Sequence, residues 1–200
     1  MKEVRPWYSV SPWIIGAGLT ALGFAIWRRR DIQETASMAI EAIKKSVHPS
    51  NFGGTRSKVD TVVIHTTEGS APSALSWFGM DHKPSGQGPT SAHYLIGKDG
   101  ALYSLVPEDR IAYHAGNWDV NVRSIGIELE GKSAEESMFT VPMLATLVVL
   151  VRQLSGKYGF PMDRKHIIGH NEVPGATHTD PGKFFPWDKF MTTLTGGNVA

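Results

Sequence analysis

Residues 170–182 read HNEVPGATHTDPG, a run that packs two histidines, an aspartate, a glutamate, two prolines and two glycines into one short stretch. So much proline and glycine excludes a regular helix or strand, so the segment is a shaped loop. Histidine and carboxylate side chains gathered on such a loop suit Zn²⁺, a borderline ion that takes imidazole nitrogen and carboxylate oxygen in tetrahedral geometry. The loop reads as half of a metal site. The other half must come from elsewhere in the chain, and His65, which closes the apolar run Val62, Val63, Ile64, is the best candidate.

Working outward, DRKHIIGH leads into this loop as a strand. His166 and His170 are therefore roughly 13 Å apart along an extended backbone and cannot share one ion, which leaves His170 as the ligand. His178 and Asp180 sit on irregular backbone, where either side chain can turn inward. Val59 to His65 reads as a buried strand whose C-terminal end opens into the loop Thr66 to Gly69. Arg123 to Gly131 reads as another, with Ile125, Ile127 and Leu129 on one face and Gly126, Glu128 and Glu130 on the other by the two-residue period. A carboxylate in mid-strand is costly unless it is paired or faces a cleft, so Glu128 is a candidate acid or base, while Glu130, nearer the end, is expected to be solvent-exposed. Thr140 to Tyr158 is an amphipathic helix with Thr140 as N-cap and Pro142 in its first turn, laid over the sheet.

SAHYLIGKDGALYSL, from Ser91 to Leu105, carries a hairpin signal around Lys98, Asp99 and Gly100, and places His93 in the first strand as a structural histidine. Ala71 to Met80 reads as a short helix, and His82 in the following polar loop is expected to be exposed. AYHAGNWDVN is irregular. Its His114, Asn117 and Trp118 are residue types that contact a polar sugar or peptide.

Two hundred residues with 41% hydrophobic content suffice for one catalytic-sized domain and an appendage. A formal net charge of +1 provides no basic field for nucleic acid, and the lack of cysteine excludes disulfides and thiolate ligands. The appendage is N-terminal. Residues 10–27 contain no charge and are flanked by Trp7, Tyr8 and Trp13 on one side and by Trp27 and three arginines on the other. A run of about 18 such residues nearly spans a bilayer core, so residues 1–30 are expected to form a single transmembrane anchor with lipid as partner. Its Gly/Ala-rich composition is similar to that of the weak anchors of phage lysis enzymes. Ile32, Ala36, Ile40, Ile43 and Val47 recur at helical spacing, predicting an amphipathic helix, then a linker from about His48 to Ser57. The expected organisation is thus 1–30 anchor, 31–57 helix and linker, and 58–200 catalytic domain.

VVIHTT, SAHYLI with KDG, AYHAGN, SIGIELEG and GHNEVPGATHTDPG followed by FPW together resemble the type 2 N-acetylmuramoyl-L-alanine amidases, the zinc-dependent superfamily that includes peptidoglycan recognition proteins. The resemblance covers Val59 to about Leu194, in order. It implies an α/β fold with a central mixed β-sheet flanked by helices, here preceded by the N-terminal transmembrane helix. It implies one Zn²⁺ per chain held by His65, His170 and Asp180, and Glu128 as the group that deprotonates the attacking water. His178 falls where many relatives carry a lysine that stabilises the tetrahedral oxyanion. Ala92 stands where one phage branch has a tyrosine, so Glu128 must act without that hydroxyl. His114 and Asn117 match positions lining the substrate groove. The implied partners are peptidoglycan or muropeptides, and the implied reaction is hydrolysis of the amide joining N-acetylmuramic acid to L-alanine. The alternative is a tethered peptidoglycan-recognition module without catalysis. The positive-inside rule leans weakly toward a cytoplasmic domain, whereas the substrate implies an extracytoplasmic or virion-membrane location.

Overall fold

A computed structural model describes residues 40–197. The expected anchor, and the first part of the expected amphipathic helix, lie outside the described residues. Among the described residues no helix is long and apolar enough to cross a membrane.

The core is a six-stranded sheet built from β1 (Ile43–Lys44), β3 (Thr61–Thr66), β4 (Tyr94–Ile96), β5 (Leu102–Ser104), β7 (Ser124–Leu129) and β8 (Ile167–Gly169), in the order β1-β5-β4-β7-β3-β8. Only the β4/β5 hairpin is antiparallel; the other neighbours run parallel, which confirms the mixed sheet. The strand β3, TVVIHT, is buried along its whole length, as a central strand covered on both faces must be. Its side chains alternate between two environments. Val62 and Ile64 join the main core with Ile125, Ile127 and Leu129 of β7, while Val63 lies on the opposite face with Ala115, Val120 and Val173. His65 shares that second face by the two-residue period.

Helix α3 (Val141–Tyr158) closes the main core with Met143, Leu147, Val148, Leu150, Val151 and Leu154. Its ends are set by local chemistry. Thr140 accepts from the Met143 N–H at 3.3 Å, and Gly159 ends the helix with a φ of 75° that a Cβ would disfavour. Helix α1 (Ala71–Phe78) packs on the other side of β4, and helix α4 (Trp187–Leu194) returns to α3.

Several expectations are corrected. The compact unit begins at Ile40, not Lys58. Ile40 and Ala42 pack against the core, Ile43 and Lys44 pair with Tyr103 and Ser104, and the expected linker contains a second two-stranded sheet, β2 (Phe52–Thr55) against β6 (Arg110–Ala112). The helical spacing of Ile40, Ile43 and Val47 misleads because edge pairing to β5 satisfies the backbone instead; Ile43 is left 48% exposed. Asn51 is buried and donates to the carbonyls of Phe78 and Met80. Arg56 sends its guanidinium inward, donating to Glu108 O at 2.7 Å and to Ser124 O, with Nη2 2.8 Å from His93 Nε2. Burial, opposed by nearby acidic groups, lowers its pKa to about 10.

His93 is a buried structural histidine as expected, accepting from the Gly126 N–H at 3.0 Å. His82 is not exposed: it is 3% accessible and packs on the Trp77 ring at 4.1 Å. Glu130 is half-buried because its two oxygens accept from the N–H groups of Ala71 and Lys98. The expected strand before the organising loop shrinks to Ile167–Gly169, since Asp163 holds His166 in a turn through a 2.7 Å contact.

A chain begun at Lys58 loses the β2 pairing and the three Arg56 contacts. Hydrogen bonds to a charged group contribute about 1.5–3 kcal/mol each, so the loss exceeds ~3 kcal/mol. Calorimetry is expected to show a Tm on the order of 10 °C below that of a chain begun at Ile40; equal melting temperatures would show that residues 40–57 are dispensable.

Candidate active site

The site forms where three neighbouring parallel strands end. The register of β3 on β7 places His65 directly opposite Glu128. The register of β3 on β8 places Ile64 opposite Gly169, so the chain delivers His170 beside His65 at the next position, in a short 3-10 turn. Asp180 comes back over this end on the irregular loop, anchored by the Asn171 N–H donating to its carbonyl at 3.0 Å.

The three side chains converge. Asp180 Oδ1 lies 3.1 Å from His170 Nδ1, and its Oδ2 lies 3.4 Å from His65 Nδ1 while accepting from the Thr66 N–H. One ligand atom from each of the three falls within 4.8 Å of the others, and all three residues are buried. Burial alone would raise the Asp180 pKa, but the hydrogen bond from His170 and the nearby His65 ring outweigh it and hold the carboxyl well below its usual range. Burial lowers the His65 pKa, only partly offset by Asp180. Both histidines thus turn the same nitrogen toward one carboxylate, and two imidazoles with one carboxylate at this spacing fit a tetrahedral divalent ion with one position left open.

Glu128 is half-buried beside this group, and its Oε2 is buried without a hydrogen-bond partner among the described residues. Burial, then the charges of Asp180 and Glu68, push its pKa up to about 8. A buried carboxyl oxygen with no protein partner, facing a cleft, is placed to exchange a proton with something that enters. The cleft has a volume of about 590 Å³ and is lined by His65, His170, Asp180 and Glu128, with Glu68, Thr90, Tyr113, Trp118 and His178 among its walls.

The remaining expected residues divide. The His178 ring stacks on His170 with centroids 4.5 Å apart, its side chain 67% exposed, so it stands at the mouth of the site. His114 borders the cleft but lies behind His65, with Nδ1 3.0 Å from His65 Nε2. Asn117 is not directed at the cleft. Its Oδ1 caps helix α2 (Trp118–Asn121) by accepting from the Val120 N–H, and its Nδ2 donates to Pro174 O, clipping this segment to the loop that carries Asp180. Sequence reasoning missed Glu68, which has a φ of 50° and accepts from Thr66 Oγ1 and the Ser133 N–H. No periodicity marks such a residue. Its position just after the His65 strand was the available signal.

An α/β sheet that gathers two histidines, a carboxylate and an adjacent unpaired glutamate at its strand ends is an arrangement suited to metal-assisted hydrolysis. The family described as N-acetylmuramoyl-L-alanine amidase matches residues 55–183. The chain is 32% identical over 175 residues to N-acetylmuramoyl-L-alanine amidase A of Achromobacter lyticus, covering 78% of this chain and 95% of that one. It is 37% identical over 173 residues to the 1,6-anhydro-N-acetylmuramyl-L-alanine amidase AmpD of Salmonella typhimurium, covering 83% and 84%. A crystal structure of a selenomethionine AmpD derivative superposes with a TM-score of 0.62 at 26% identity, over 80% of this chain and 97% of that one. The chain belongs to the N-acetylmuramoyl-L-alanine amidase family and is an enzyme of that class.

The Glu128 environment has a measurable consequence in the metal-free protein. Its pKa is higher folded than unfolded, so the unfolded state releases its proton first, and stability falls as pH rises from the ordinary carboxylate range toward about 8. Glu128→Gln removes that loss. Metal-free Glu128→Gln is expected to melt above metal-free wild type at pH 8, with the gap closing below pH 4.5; a gap independent of pH would contradict the assigned burial.

Proposed function

We propose that this amidase is a zinc-dependent peptidoglycan hydrolase that cleaves the amide between the lactyl group of N-acetylmuramic acid and the L-alanine of the stem peptide. The observation that carries this reading is the unpaired Glu128 oxygen beside the complete set His65, His170 and Asp180. The names of the relatives support the bond, and the donor set supports zinc. When bound, the ion would supply a Lewis acid that polarises the scissile carbonyl and acidifies water.

The chain's own residues supply the proton traffic. Glu128 accepts a proton from the attacking water as its oxygen bonds to the carbonyl carbon. It then delivers that proton to the amide nitrogen as the C–N bond breaks, leaving a lactyl carboxylic acid and a free L-alanine amine, which the acid's proton then converts to carboxylate and ammonium. A pKa raised toward neutrality lets one carboxyl perform both transfers, and a bound cation would draw it down from its metal-free value. His178, exposed at the mouth, donates a hydrogen bond to the developing oxyanion; Trp118, 58% exposed, and Tyr113 offer ring faces to the sugar or peptide.

Glu128→Ala is expected to lower kcat on muropeptides by about 10²–10⁴-fold while retaining one zinc per chain. Asp180→Ala is expected to lose the metal and the activity together. Products are identified by mass spectrometry as stem peptides with a free L-alanine terminus. Wild type that binds peptidoglycan but releases no peptide would show a recognition module, and full activity after chelation would exclude zinc.

A further inference from the structure

The nitrogen that His65 turns toward Asp180 is fixed by a chain of hydrogen bonds running backward from the site into the protein. Ser124 Oγ lies 2.6 Å from the carbonyl oxygen of Val120. A carbonyl has no proton, so the hydroxyl proton must lie between them and Ser124 Oγ can only accept on its other side. His114 Nε2, 3.1 Å away, must then carry the imidazole proton and donate it to Ser124. That leaves His114 Nδ1 as a bare acceptor, and the His65 Nε2 at 3.0 Å must donate to it. A neutral imidazole carries one proton, so His65 Nδ1 presents its lone pair toward the site.

We infer that His114 is a positioning residue that locks His65 in its Nε2–H tautomer and aims Nδ1 at the metal, and that Gly126 and Ser124 exist on β7 to hold His114 there. The glycine is an independent observation. A Cβ at Gly126 would stand 2.5 Å from His114 Cγ and 2.7 Å from its Nδ1, closer than atoms can approach, so only glycine lets the ring lie flat against the strand. The three side chains Ser124, His114 and His65 are all buried, so water does not compete for these bonds. Both ring nitrogens of His114 are engaged, which removes it from direct substrate recognition despite its place at the cleft. Outer partners of this kind hold a metal-ligating imidazole in orientation and raise its basicity.

The inference rests on His65 being a metal ligand, and the test separates the two. Zinc affinity of the full chain is measured by competition with a chromophoric chelator, with metal-free melting as the folding control. The His65 tautomer is read by long-range ¹H–¹⁵N NMR in the metal-free chain. His114→Phe, which keeps the ring shape but no nitrogen, is expected to weaken zinc by about 10–100-fold. His114→Asn, whose Oδ1 takes the place of Nδ1 as acceptor, restores much of the loss. Gly126→Ala, which retains every ligand and every hydrogen-bonding group, weakens zinc in the same direction. Ser124→Ala, which touches no ligand, produces a mixture of His65 tautomers. The inference is overturned if wild type binds zinc and His114→Phe binds it equally well, or if wild-type His65 carries its proton on Nδ1. Failure of wild type to bind zinc overturns the metal reading together with it.

Discussion

The parallel pairing of β3 with β7 and β8 is the constraint on which the site depends. It sets His65 level with Glu128 on one side and brings His170 alongside on the other, two imidazoles and a carboxyl held by backbone hydrogen bonds and not by flexible stems. A slip of one residue in either register would turn His65 into the apolar core beneath α3 and bring Ile64 to the cleft. The apolar alternation Val62, Ile64 against Ile125, Ile127, Leu129 forbids that slip, so the core and the site are specified by the same pattern.

Only Asp180 arrives without a strand to carry it. Its loop is tied down by Asn171 N–H on the Asp180 carbonyl and by Asn117 on Pro174, so irregular backbone attains the rigidity a functional side chain needs. Asp180 in turn partly offsets the desolvation of the buried His65 ring. Glu128 has no such compensation. Its raised pKa is the electrostatic counterpart of the stabilised Asp180, two carboxyls driven apart by whether a hydrogen-bond donor faces them.

Much of this was legible in the residues. The period of two in SIGIELEG separated Glu128 from the core, the loop composition of residues 170–182 announced a shaped site, and the helix expected from its Thr140 cap to Tyr158 has those ends. What was hidden has a common physical cause: partners distant in sequence. Ile40 to Ser57 look like a helix and linker until β5, β6 and the Phe78 carbonyl are brought beside them. Asn117 reads as a groove residue because an amide suits sugars, yet tertiary structure engages it at Val120 and Pro174. His82 is polar in a polar loop, and only the Trp77 face makes it buried. Gly126 and Ser124 read as ordinary strand residues until the His114 ring is seen against them.

His65, His170 and Asp180 are proposed to hold one zinc ion. Anomalous X-ray scattering from crystals of the zinc-loaded chain, recorded on either side of the zinc absorption edge, tests it most directly. A single peak is expected about 2.0–2.1 Å from Nδ1 of both histidines and about 2.0–2.2 Å from an Asp180 oxygen, with Glu128 outside bonding distance. A peak coordinated by His178 or Glu128 in place of one of the three, or no peak at this cleft, would contradict it.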